Sequence, residues 1–301
     1  MRNQLRELPD GRCVRVFPFH ISLEGKETRI LCREDEDYDV FVKIIAVCAE
    51  RKGVILVAYG VVSNHGHSVV LADTKRSADA FGEEIKKMYS MFFRKKYGDE
   101  KVMKGMDVNA QWLDSDWYLK NAVAYDIRNA LDNCALSLED YPWTSYRAYF
   151  RCDRPAGKKV SELKKNEKRR LMHTEDDLSS VPWLLDSSGR LIPSSICDTE
   201  YVEKAFEGNP SLFLQKVAGV NMAELSRRLD ENPRSFRKDE EVLRNVNDIS
   251  RRWFQCTVHD LPYEKKARLA TYYFRCNRTS VPQMSRVFEL SREEMAFMLK
   301  K

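Results

Sequence analysis

The run Val61-Val62-Ser63-Asn64-His65-Gly66-His67-Ser68-Val69-Val70 sets two of the chain's five histidines two residues apart among β-branched residues. Successive strand residues point to opposite faces, so both imidazoles should project from one face of a strand. Two imidazoles on one face are a chelate fragment for a divalent metal, although a strand-edge pair has the same pattern. Further along, Tyr125-Asp126-Ile127-Arg128-Asn129 places a phenol and an amide four residues apart. In a helix those two share a face, as ordinary neighbours also do. Taken together, the two fragments describe a metal with a tyrosine beside it.

The ordered blocks Phe19-His20-Ile21-Ser22, a helix, Ser63-Asn64-His65-Gly66-His67, Tyr125-x-x-x-Asn129 and Tyr141-Pro142-Trp143-Thr144-Ser145-Tyr146 follow one another along the chain. This order resembles the REP-associated single-tyrosine transposases of the HUH nuclease superfamily. The resemblance covers roughly residues 12 to 150 and rests on several blocks in sequence. It implies that His65, His67 and Asn129 hold Mg2+ or Mn2+ and that Tyr125 is the nucleophile. It further implies nicking and strand transfer on single-stranded or hairpin DNA through a 5′-phosphotyrosine intermediate. Three departures stand out: Gly66 where the family carries a bulky apolar residue, Asn129-Ala130 where it reads Asn-Pro, and Lys104-Gly105-Met106 as the remnant of an aromatic, Gly-containing stretch. Gly66 is expected to remove a core anchor and loosen the strand. The alternative reading is a DNA-binding or regulatory protein that keeps the HUH fold and has lost catalysis.

The chemistry follows from the residue types. A phenol with a pKa near ~10 becomes a nucleophile at neutral pH only where something accepts its proton or favours the phenolate. A cation on a non-bridging phosphate oxygen stabilises the charge that builds on phosphorus, and imidazole and amide ligands suit Mg2+ or Mn2+. Attack on a phosphodiester leaves a phosphotyrosine and a free hydroxyl, storing the bond for rejoining.

The elements that must position these groups are legible from periodicity. Arg15 to Leu23 reads as a strand, Asp37 to Arg51 as an amphipathic helix, and Val54 to Val62 with His67 to Leu71 as a strand pair turning at Asn64. Lys75 to Tyr97 and Asp116 to Leu131 read as helices. Strand, helix, strand, strand, helix begins a ferredoxin-like α+β layer, with an antiparallel sheet and helices on one face. Tyr125 would then sit mid-helix, facing the histidine strand. His20 ends the first strand, as a core group or a support behind the metal ligands.

Basic residues predict where DNA would lie. Lys86, Lys87, Arg94, Lys95 and Lys96 are interleaved with aromatics on one helix; the cations are read as phosphate contacts and Tyr89, Phe92 and Phe93 as core. Lys104 and Arg128 join the same set. Residues 1–150 form the HUH-like domain in this reading, and 151–198 a basic linker or insertion. The run Lys164, Lys165, Lys168, Arg169 and Arg170 within it is either a solvated face or a clamp on the nucleic-acid backbone. Residues 199–301 form an all-α C-terminal domain, with Ser211 and Asn221 as caps and a possible helix-turn-helix near the end. There Ser291 and Glu294 make a capping box, while Glu289, Glu293 and Glu294 oppose phosphate contact.

Composition fits without selecting. The 301 residues carry 51 Lys plus Arg against 46 Asp plus Glu, so any basic surface must be local. Eight cysteines occur with no Cys-x-x-Cys, which argues against a zinc ribbon and for a reducing compartment. No signal-peptide pattern and no stretch near the ~18 apolar residues of a membrane span is present, so a cytoplasmic protein with no membrane partner, monomer or homodimer, is expected. A metal-dependent hydrolase of small phosphoesters would leave the basic stretches and the C-terminal helices without a role.

Overall fold

In the computed structural model, residues 4–25, 29–98, 106–132, 137–151, 156–219, 239–277 and 279–299 are described. The Phe19, Ile21, Leu23 alternation becomes β2 (Cys13–Gly25), and the two histidine-flanking runs become β3 (Ile55–Val62) and β4 (His65–Ala72). A short strand, β1 (Gln4–Glu7), pairs with the start of β2. A further strand, β5 (Met106–Trp112), pairs with the other end of β2. The main sheet therefore runs β5, β2, β4, β3, antiparallel throughout. With α1 (Asp35–Lys52) between β2 and β3 and α2 (Lys75–Tyr97) between β4 and β5, this is the βαββαβ order of a ferredoxin-like layer.

Local chemistry starts and stops these helices. A reciprocal capping box between Glu34 and Asp37 opens α1, and Gly53, at φ 61, closes it in the left-handed region. Thr74 caps α2 by accepting from the Ser77 amide, and Gly98, at φ 74, ends it.

Helices cover both faces of the sheet, where one covered face is expected from the sequence. On one face Gly82 of α2 lies over Ile21 and Val108, and Phe41 of α1 lies under Gly66. On the other lies α3 (Asp116–Asp132), seated on Gly60 of β3. β3 and β4 are accordingly buried along both faces except at their first residues. The segment after α3 closes the outer edge of β3: the Val61 amide donates to the Trp143 carbonyl, and the Tyr141 and Tyr149 hydroxyls donate to the carbonyls of Val61 and Val57. An edge occupied in this way offers no template to another chain.

The basic stretch beyond it packs. Val160, Leu163, Met172, Leu178, Val181 and Trp183 cluster on Ala46 and Val47 of α1. Met172 closes α4 (Lys165–Met172), and the other five lie in the turns and extended segments around a two-residue ribbon, β6 (Lys158–Lys159) with β7 (Leu184–Leu185). After α5 (Pro193–Ile196), α6 (Thr199–Ala205) and α7 (Pro210–Gly219) return to the sheet core through Phe206 and Phe213. The start of α7 is capped by Asn209, whose Oδ1 accepts from the Ser211 and Leu212 amides, so Ser211 is a capped residue and not the cap. Asn221 lies outside the described residues.

Helices α8 (Asp239–Phe254), α9 (Tyr263–Cys276), α10 (Val281–Phe288) and α11 (Arg292–Leu299) build a second apolar cluster around Val246, Leu269, Met284 and Phe288. The Ser291–Glu294 capping box forms at the start of α11. Glu289 is drawn into an ion pair with Arg33 and a hydrogen bond with His259.

Candidate active site

Strand alternation sets both histidines of β4 on the face that α3 covers. Val62 pairs with His65, and Gly60 and Ser22 flank His67 on either side. Gly66 points the other way, where a Cβ would stand 2.9 Å from Cε1 of Phe41. The loosened strand expected at Gly66 is therefore not found: the Phe41 ring fills the space a larger residue would take, and β4 is paired on both sides. The turn before His65 is held as well. The Ser63 carbonyl accepts from the Leu31 and Cys32 amides, and its hydroxyl donates to Asp239 at 2.9 Å.

α3 reaches the histidines because Gly60 has no side chain. A Cβ there would lie 1.9 Å from the Asp126 carbonyl oxygen, so helix backbone rests directly on strand backbone. In that seat Asp126 and Asn129 are buried and Tyr125 remains 46% exposed. The Asn129 side chain meets His65 Nε2 at 2.7 Å, and Asn64 Oδ1 lies 3.0 Å from Nδ1. An amide oxygen can only accept, so Nδ1 carries the hydrogen and Nε2 presents its lone pair toward Asn129. Turning the Asn129 amide over would place its oxygen beside that lone pair, which is how the two would share a cation.

His67 is the unusual group. It is 1% exposed, and neither ring nitrogen has a partner among the described residues. Leaving a buried polar atom unsatisfied costs about 1–3 kcal/mol. His20 stacks on it, with centroids 5.3 Å apart and planes within 12°, and Tyr125 stands edge-on to His67 at 5.1 Å and to His20 at 6.1 Å. His20 Nε2 is 2.8 Å from Asp126 Oδ1, and Asp126 Oδ2 is buried with no partner among the described residues. Ligand atoms of His20, His67 and Asp126 lie within 4.8 Å of one another. Orphaned nitrogen and oxygen donors converging in one buried place fit a divalent cation.

The electrostatics agree with neutral ligands. Burial pushes His65 down to about 4, against the Asn129 hydrogen bond, and holds His67 well below the usual imidazole range, with His65 and His20 adding to the effect. Burial raises the Asp126 carboxyl, and His20 opposes that rise. Asp126 could be anticipated only as a charge set in the apolar face Val123, Ala124, Ile127; His20 becomes its partner where β2 runs beside β4.

The basic residues lie elsewhere. α2 and α4 pack on the α1 face of the sheet, away from Tyr125, which puts exposed Lys87, Arg94 and Lys95, and exposed Lys164, Lys165, Arg169 and Arg170 with half-buried Lys168, on the far side. Lys86 donates to the Met106 carbonyl, and Lys96 is held by Glu34, Glu36 and Asp37. Arg169 pairs with Glu175. Arg128 is 6% exposed, and Lys104 lies outside the described residues. Tyr89 and Phe93 are fully buried core.

Residues 14–115 match the family model described as Transposase IS200 like. The match contains His20, His65 and His67 and stops just before α3 with Tyr125, Asp126 and Asn129. No curated protein and no solved structure matches the chain.

Proposed function

Starting from the membership of this chain in the IS200-like Y1 transposase family, we propose that it nicks and rejoins single-stranded DNA with Tyr125 as nucleophile. The observation that carries the reading is the exposed Tyr125 ring standing edge-on to His67, whose two buried nitrogens lack any described partner. His65, His67 and Asn129 would hold a divalent cation, Mg2+ or Mn2+, which supplies charge neutralisation at the scissile phosphate. His20, fixed by Asp126, backs the His67 ring and orients it.

Tyr125 Oη attacks phosphorus, the bond from phosphorus to the 3′ oxygen breaks, and that oxygen leaves as the hydroxyl after taking a proton. The phenolic proton passes to water on the exposed side of the ring. The 5′ phosphate stays on Tyr125 until a 3′ hydroxyl attacks it and reverses the exchange, so no external energy source is needed. The substrate reading extends to hairpin-flanked single strands, with the chain acting as monomer or homodimer.

A second reading, binding without cleavage, draws on one observation: the family match ends before the helix that carries Tyr125. A helix-turn-helix reading of α10 and α11 remains part of either proposal. Among the described residues no helix is long and apolar enough to cross a membrane.

The test is denaturant-resistant adduct formation with a random pool of single-stranded DNA in Mn2+. Cleavage predicts a DNA-linked peptide containing Tyr125 that disappears with Tyr125→Phe and with chelator. Retained binding with no adduct in Mn2+, and none when Mg2+ replaces it, would establish the second reading.

A further inference from the structure

Between α9 and α11 an open groove of about 610 Å3 is lined chiefly by Tyr263, Arg268, Tyr272, Arg275, Cys276 and Phe297. It shares no residue with the Tyr125 site. Tyr263, Tyr272 and Phe297 are 50%, 43% and 59% exposed. Single exposed aromatics are ordinary on a protein surface; three converging in one groove are not. The groove extends to Trp253, whose ring lies 4.7 Å from Tyr272 and beneath the Arg268 guanidinium.

Charge decides the occupant. Among the described residues, two guanidinium groups line the groove and no carboxylate does. An apolar partner helix would leave those cations unmatched, whereas an anion bearing flat rings satisfies both features. Arg268, Tyr272 and Arg275 follow i, i+4, i+7 spacing on one helix face. The two arginines are thus about 10.5 Å apart along the axis, far enough to meet separate phosphates of one strand. A duplex hides its base faces, so stacking on these rings calls for unpaired bases.

We infer that this groove binds single-stranded nucleic acid, with Arg268 and Arg275 on phosphates and Tyr263, Tyr272 and Phe297 against unpaired bases. The inference is independent of the chemistry assigned to Tyr125.

The test uses the full chain carrying Tyr125→Phe, so that covalent capture is removed. Fluorescent 20-mers of dT and of U, and a mixed-sequence duplex, are titrated by anisotropy over a salt series. Both single strands should bind more tightly than the duplex, and the tighter of the two identifies DNA or RNA as the natural ligand. Arg268→Ala with Arg275→Ala should reduce the salt slope by about 1.4, since each single-strand phosphate contact contributes ~0.7. Tyr272→Ala should weaken binding by about 5- to 150-fold while Tyr272→Phe restores it, because the ring carries the stacking. Cys276 is an exposed thiol inside the groove, and its alkylation, read by peptide mass, should slow when oligonucleotide is added. An unchanged salt slope in the arginine variant, unchanged Cys276 alkylation or a preference for duplex would each overturn the inference. So would Cys276 protection that rises with protein concentration alone, which would mean that a second copy occupies the groove.

Discussion

Gly60→Ala tests the seat of α3 without touching any ligand or the nucleophile. The added Cβ would stand 1.9 Å from the Asp126 carbonyl oxygen and 2.8 Å from its carbon, both backbone atoms that cannot swing aside. Real contacts of this kind stay beyond about 3 Å, so α3 must recede by at least about 1 Å or the substitution overpacks the interface, at about 1–3 kcal/mol. A domain with roughly 5–15 kcal/mol of stability remains folded under that load. The site does not survive as well. Recession stretches the 2.7 Å Asn129 to His65 contact and the 2.8 Å His20 to Asp126 contact beyond hydrogen-bonding range and carries Tyr125 away from His67. A misplacement of about 1 Å at a reacting group costs on the order of 100-fold in rate. The measurement is single-turnover adduct formation beside a urea melt, with hydrogen exchange of the α3 amides as a readout that needs no substrate. Wild-type adduct rates with unchanged α3 protection would refute the claim that Gly60 sets the helix position.

Other perturbations separate the remaining assignments. His65→Ala should weaken Mn2+ binding in calorimetry by more than ~100-fold and His20→Ala by about 10-fold, the scale of losing a supporting group; equal losses would move ligation toward His20 and Asp126. Gly66→Val should cost about 1–3 kcal/mol and be partly rescued by Phe41→Leu, because the two side chains compete for one space, with a coupling energy of about 0.5–3 kcal/mol in a urea double-mutant cycle. Strict additivity would rule that competition out. Asp239 accepts from Ser63, from Gln283 and, bidentately, from Nε and Nη2 of Arg286, so Asp239→Asn takes the charged partner from a mostly buried cation and should lower stability by about 3–5 kcal/mol. Burial pushes the Glu240 carboxyl up to about 7. The folded chain thus holds a proton that the unfolded chain releases near pH 4.5, and the stability linked to it is lost as pH rises through that window. Glu240→Gln should therefore stabilise the protein by a few kcal/mol at pH 8 and by almost nothing near pH 4; equal gains at both pH values would contradict the shift.

What the chain reveals by inspection depends on whether one residue's pattern or two distant residues decide the matter. β3, a continuous apolar run, and α2, with its period of 3.6, are placed almost to the residue, while β4 begins two residues before the expected His67. β5 escapes because Asp107, Asn109 and Gln111 alternate with half-buried or small residues at an edge of the sheet, where few apolar groups are required. The role of Gly60 is invisible in sequence, since a glycine inside a strand reads as a weakness until a helix backbone is found resting on it. Its neighbour Gly66 reads as a missing anchor until Phe41 arrives from α1. The basic residues show the same limit from the other side. Periodicity identifies which face of α2 is polar, but not which face of the sheet α2 covers, and that second choice turns Lys87, Arg94 and Lys95 away from Tyr125. Nucleic acid approaching Tyr125 must therefore meet the α3 face first. If the rings on α9 and α11 hold unpaired bases as well, contact with the strand is divided between two surfaces. The hydroxyl bond from Ser63 to Asp239 then matters beyond stability, because it fastens the turn carrying His65 to the first residue of the helical unit that bears the second surface.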